Sequence, residues 1–139
     1  MSKNHFRGKL KTDNGNLKKG DWVYGDLVNL IDGKESHHHI YGKGEVNADT
    51  VCQSTGETDK NRVEIFEGDI VKVDFEVEYV GIKPKPSYIG VVKFEKGAFE
   101  IYKKFNGAQF FFQCGLIKTV IGNIHDNPEL LNEELNKEN

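Results

Sequence analysis

Residues 71–79 alternate strictly. Val71, Val73, Phe75, Val77 and Tyr79 fall on one side of an extended chain, and Lys72, Asp74, Glu76 and Glu78 fall on the other. A period of two over this length is incompatible with a helix and specifies a strand with one buried and one wet face. Such a strand needs antiparallel partners, and the residues downstream supply them. SYIGVVKF (87–94) reads as a second strand, with Lys83-Pro84-Lys85-Pro86 before it outside any ladder. Glu95-Lys96-Gly97 is a tight hairpin loop, and Gly97 is free to take a left-handed conformation. AFEIYKKF (98–105) returns, Asn106-Gly107 marks another hairpin, QFFFQ (109–113) follows, and KTVIGNI (118–124) is the last strand. Asn127 then caps a helix, Pro128 takes its first position, and Glu129 faces the positive end of the helix dipole.

The N-terminal half is less regular. HFRGKL (5–10) suits a short strand. Asp21 to Ile31 reads as one strand with Trp22 and Tyr24 on one face, and Asp32-Gly33 signals a hairpin whose return carries His37-His38-His39. Residues 42–69 are rich in turn formers, with a short strand near 50–53. The expected fold is all-β, mostly short antiparallel strands with one short C-terminal helix. Its C-terminal part is of the size of a small barrel or roll that fills its interior with side chains. The expected division is 1–62 as an N-terminal lobe, 63–127 as the barrel, and 128–139 as the helix and tail.

Composition narrows the setting. No apolar run approaches the length of a membrane helix, and no apolar stretch follows the basic N-terminus as in a signal peptide. Cys52 and Cys114 are read as reduced thiols, so a cytoplasmic location with no membrane contact is expected; a single disulfide stays open. The net charge of −3 is unevenly placed: 1–20 and 80–118 are basic, 21–79 and 126–139 acidic.

Four segments occur in order: WVYGDL (22–27), TVCQSTGETDKN (50–61), IFEGDIV (65–71) and VIGNIHDNPELL (120–131). Together they resemble the YopX family of phage and prophage proteins, across about residues 5–131. The family pattern at the second segment is roughly Val-Gly-Gln-x-Thr-Gly-Leu-x-Asp-Lys-Asn-Gly. This chain has Cys52 for the first Gly, Glu57 for Leu and Arg62 for the last Gly. The resemblance implies an all-β fold with an SH3-type C-terminal part and a phage or prophage setting. It implies no assigned activity and no catalytic residues.

Read for chemistry, the chain shows no P-loop, nucleophile elbow, zinc-protease helix, paired-cysteine motif or dinucleotide turn. It is therefore expected not to be an enzyme and to take no cofactor. His37 and His39 share a strand face and form a candidate metal pair, with Cys52 or Asp49 as a third ligand; a solvated His-rich edge explains them more simply. The carboxylates Glu64, Glu67, Asp69, Asp74, Glu76 and Glu78 suggest a magnesium site, but most are the polar face of a strand and a turn feeding it. Candidate partner-binding residues are Trp22 and Tyr24 on their strand, Gln53, Thr55, Asp59 and Asn61 in the polar segment, and Lys83, Lys85, Lys103 and Lys104 in the basic block. The leading expectation is a non-enzymatic module binding a host or phage protein. A nucleic-acid module using the Lys-rich strands is the alternative, and a metal-dependent hydrolase ranks below both. Leu130, Leu131 and Leu135 form an apolar stripe on the helix, a contact for a homo-oligomer.

Overall fold

The computed structural model describes residues 5–75, 87–102, 109–111 and 116–131. The chain is all-β with antiparallel sheets, and it divides into two compact units, Met1–Glu57 and Thr58–Asn139. This division falls before the polar loop at 59–63, and it keeps the C-terminal helical turn with the second unit.

The first unit holds two small sheets. Strands β1 (Phe6–Lys9), β2 (Trp22–Gly25) and β6 (Cys52–Thr58) run antiparallel in the order β2-β1-β6, with Lys9 opposite Trp22 and Arg7 opposite both Tyr24 and Cys52. Strands β3 (Leu27–Asp32), β4 (Glu35–Ile40) and β5 (Gly44–Val46) form the other sheet in that order. Leu10, Val23, Ile40 and Val46 are buried together between them, with Phe6, Leu17, Leu27 and Val51 at the margin. The sheets approach closely at Gly8, where a Cβ would lie 2.9 Å from Val46 Cγ2.

The expected single strand from Asp21 to Ile31 is two strands in different sheets. Gly25 adopts φ 150° and faces Ile40, so the chain breaks there and turns from one sheet to the other. The hairpin signal also sits one residue later than expected. Asp32 pairs with Glu35, and Gly33 alone has positive φ (63°), the type II′ arrangement of a two-residue turn. The polar middle is more ordered than its composition suggested: β5, a 3-10 turn (Ala48–Thr50) and β6 occupy it. Thr50 Oγ1 bonds both Lys9 N (2.9 Å) and Asn47 O (2.7 Å), fixing the turn against β1.

In the second unit, β7 (Glu64–Phe66) precedes β8 (Asp69–Phe75), β9 (Tyr88–Glu95), β10 (Ala98–Tyr102), β11 (Gln109–Phe111) and β12 (Leu116–Asn123). The sheet order is β11-β10-β9-β8-β12, a meander whose last strand returns beside its first. Alternation in β8 is as the sequence predicts: Val71 and Val73 are buried, Lys72 is exposed. They pack with Ile65, Tyr88, Val92 and Ile101. The opposite face buries Ile70 and Val91 under Leu131, with Leu130 beside them, so two leucines of the C-terminal stripe are used within the chain. Leu135 lies outside the described residues. The small barrel or roll expected there is not a closed barrel among the described residues: β11 is short and bonds only β10, β12 bonds only β8, and the sheet keeps both edges. The Glu95–Ala98 hairpin has both Lys96 (φ 52°) and Gly97 (φ 82°) left-handed, matching the twist of its strands.

Candidate functional site

Among the described residues, the β3–β4 ribbon of the first unit carries the two large aliphatic side chains Leu30 and Ile31 exposed side by side. Its base is anchored by Ile40 and Leu27 at the core, but its end runs beyond that core. Leu30 is 50% and Ile31 79% exposed on opposite faces, and Tyr41, just past β4, is 75% exposed. β3 is also the outer strand of its sheet, with β4 as its only neighbour among the described residues. Among the described residues no backbone bond reaches its outer edge. Exposed, flat, apolar strand edges are uncommon because they template pairing with other chains. Between Leu27 and Asp32 there is no Lys, Pro or Gly to blunt it.

The histidines lie on the return strand of this ribbon. His37 stands opposite Leu30, and His39 opposite Val28 and Glu45. His37 Nδ1 is 3.0 Å from Glu45 Oε2, and its Nε2 is 3.6 Å from Glu35 Oε2. Lys11 Nζ lies 3.1 Å from the same Glu45 oxygen. The hydrogen bond from His37, then that from Lys11, holds the Glu45 carboxyl below its usual 4.5. His37 and Glu45 are half-buried and Lys11 and Glu35 exposed, so this network fixes side-chain directions more than it stabilises the fold. His38 faces the other way, toward Asn29 Oδ1. Among the described residues no three His, Cys, Asp or Glu side chains converge as metal ligands. Cys52 is a buried thiol whose Sγ lies 3.2 Å from Thr50 O.

Trp22 and Tyr24 share a face, as alternation requires, and it is the face turned from the Val23 core. The Arg7 guanidinium carbon sits 4.6 Å and Lys9 Nζ 5.3 Å from the Trp22 ring centroid. Both cations are brought there by register, since Lys9 and Arg7 pair across the ladder with Trp22 and Tyr24. Tyr24 is 40% exposed. This is a braced, amphipathic platform.

Gln53 is exposed on β6, opposite Phe6. Thr55 uses its Oγ1 to accept the Glu57 N–H at 3.1 Å. Asp59, in the second unit, is buried, and its carboxylate accepts from backbone N–H groups. Oδ1 accepts from Asn61 N (2.8 Å) and Val63 N (3.0 Å), and Oδ2 accepts from Val120 N (2.8 Å). The Asn61 backbone is thereby held in the loop, and Lys60 N donates to Lys118 O at 3.1 Å. Asp69 is likewise buried, accepting the Phe66 N–H at 2.8 Å across its turn. These carboxylates organise chain reversals. Lys83, Lys85, Lys103 and Lys104 lie outside the described residues.

Sequence reasoning missed the ribbon's open edge and the Arg7–Trp22 stack. The signal for the first was present: two adjacent apolar residues, Leu30 and Ile31, directly before a turn expose apolar groups on both faces. The second needed the β1–β2 register.

An all-β chain of two compact units, with a polar-loop carboxylate staple and a projecting ribbon, is what this geometry defines. The family described as YopX protein matches residues 6–132, and the chain belongs to that family. No curated protein matches it.

Proposed function

We propose that the chain is a phage- or prophage-encoded accessory protein of the bacterial cytoplasm. It has no catalytic activity and acts by binding other polypeptide chains through the β3–β4 ribbon. One observation carries this reading: Leu30 and Ile31 stand exposed at the open edge of an unblunted strand. Family membership supports the setting. Among the described residues no helix is long and apolar enough to cross a membrane.

The test is a paired capture. Wild-type chain and the double variant Leu30→Lys, Ile31→Lys are used as bait in the cell that expresses the protein. Both substitutions are at exposed positions, so the far-UV dichroism should not change. The reading expects polypeptides retained by the wild type and lost by the variant. Identical captures from a folded variant would refute it.

The Lys9–Trp22–Tyr24 platform, backed by the buried Arg7, favours a second reading, single-stranded nucleic acid stacked on the aromatics with a phosphate near Lys9. A fluorescent oligonucleotide titration tests it: binding that weakens steeply with salt supports it, and absence of binding at low salt removes it.

A further inference from the structure

We infer that the first occupant of the β3 edge is a second copy of this chain, paired antiparallel strand to strand about Asn29. The inference rests on the ribbon being a protein-binding surface, and it names the partner. In the β3–β4 ladder the turn-closing pair is Asp32–Glu35, so Leu30 and Val28 direct their backbone groups inward to His37 and His39. Leu27, Asn29 and Ile31 therefore direct their N–H and C=O groups outward. A two-fold axis perpendicular to the sheet at Asn29 lets Asn29 exchange both bonds with its own copy. The same axis sets Leu27 opposite Ile31 of the copy, again a hydrogen-bonding pair, and Val28 opposite Leu30 between them.

This register matches side chains as well as backbone. Leu27–Ile31 pairs lie on one face with the Asn29 pair at the centre, and Val28–Leu30 pairs lie on the other. Each apolar residue meets an apolar residue, and the one amide meets itself. Shifting the axis to Leu30 keeps the backbone pattern but sets Asn29 against Ile31 and Val28 against Asp32. The sequence of β3 is thus self-complementary in one register, which is what an isologous contact requires. The pairing joins two three-stranded sheets into one continuous sheet. It also brings Asp32 near Asp26 of the copy at each end, a like-charge contact that salt screens.

Sedimentation velocity on the full chain over a concentration series tests this, with amide hydrogen exchange on the same samples. The expected result is a dimer that strengthens with salt and with Asp32→Asn. Protection at the Asn29 and Ile31 amides should rise with concentration. Ile31→Lys should weaken the dimer roughly 2- to 30-fold, because each dimer loses two cross-strand apolar pairs. Asn29→Pro should abolish it, since it removes an outward donor without touching the β4 ladder. A monomer at every concentration overturns the pairing, and so does a dimer whose Asn29 and Ile31 amides exchange as in the monomer. If the chain is monomeric but the paired capture still loses polypeptides on substitution, self-pairing fails and the ribbon remains a binding surface.

Discussion

Replacing Asp59 by alanine removes one carboxylate and leaves three backbone amides without their acceptor. Asp59 is only 7% exposed, and its acceptors serve Asn61, Val63 and Val120. The first two amides lie in a surface loop where water can replace the carboxylate, and each costs about 1 kcal/mol. Val120 lies in β12 and its bond ties the loop to the sheet, so its loss costs about 2 kcal/mol. The sum, about 4 kcal/mol, is a large part of what a unit this size has. Asp59→Asn keeps one oxygen but turns an NH₂ toward an N–H, and should lose about half as much. The assay is amide exchange along β12 and β8, because it reads the second unit alone. Trp22, the only tryptophan, reports the first unit by fluorescence and should be unchanged. Exchange at Val120 should accelerate by at least about 100-fold in the alanine variant. Acceleration of less than about threefold would refute the claim that Asp59 staples the loop to the sheet.

Other expectations follow from single contacts. Arg62 holds φ 66° where the family pattern has glycine, so Arg62→Gly should stabilise the second unit by about 1 kcal/mol in urea unfolding. Gly90→Ala should destabilise that unit by about 1–3 kcal/mol, because its Cβ would sit 2.6 Å from Ile101 Cγ2 and 2.8 Å from Tyr102 O. Burial pushes the Tyr88 hydroxyl up from 10.0 to about 12. A raised folded value for a phenol gives stability that is full below pH 10 and lost as pH rises toward 12, so Tyr88→Phe should flatten the alkaline unfolding limb. The Glu45 carboxyl should titrate below 4.5 by NMR, and His37→Ala or Lys11→Ala should move it upward. Its depressed value gives stability present above pH 4.5 and lost as pH falls through the folded midpoint.

Much of the fold was legible where local rules act alone. Alternation in 71–73 sorted buried from exposed residues, because a strand with one buried face permits no other phase. Lys96-Gly97 announced its turn by chemistry. That the second unit's sheet stays open among the described residues was not legible, because closure depends on strand pairing that no short window encodes. The break at Gly25 had a signal, since Gly25-Asp26 interrupts two strand-forming runs, but only the approach of Ile40 to a residue without a side chain shows that the chain changes sheets there. In the polar segment 50–61, backbone bonds to Thr50, Ser54 and Asp59 side chains convert a loop-like composition into β6 and a stapled turn. Leu130 and Leu131 were read as a helix stripe in search of a partner, and Ile70 and Val91 fill that role within the chain. The surface at Leu30 and Ile31 is the converse: apolar residues beside a turn, for which the fold provides no cover.

The most direct test of the ribbon as the working surface is photo-crosslinking in the expressing cell, with a photoreactive residue placed at Ile31 or, in a second strain, at Tyr24. The account predicts discrete polypeptide adducts from Ile31, including one at twice the chain's mass. Adducts arising from Tyr24 while Ile31 yields none would contradict it.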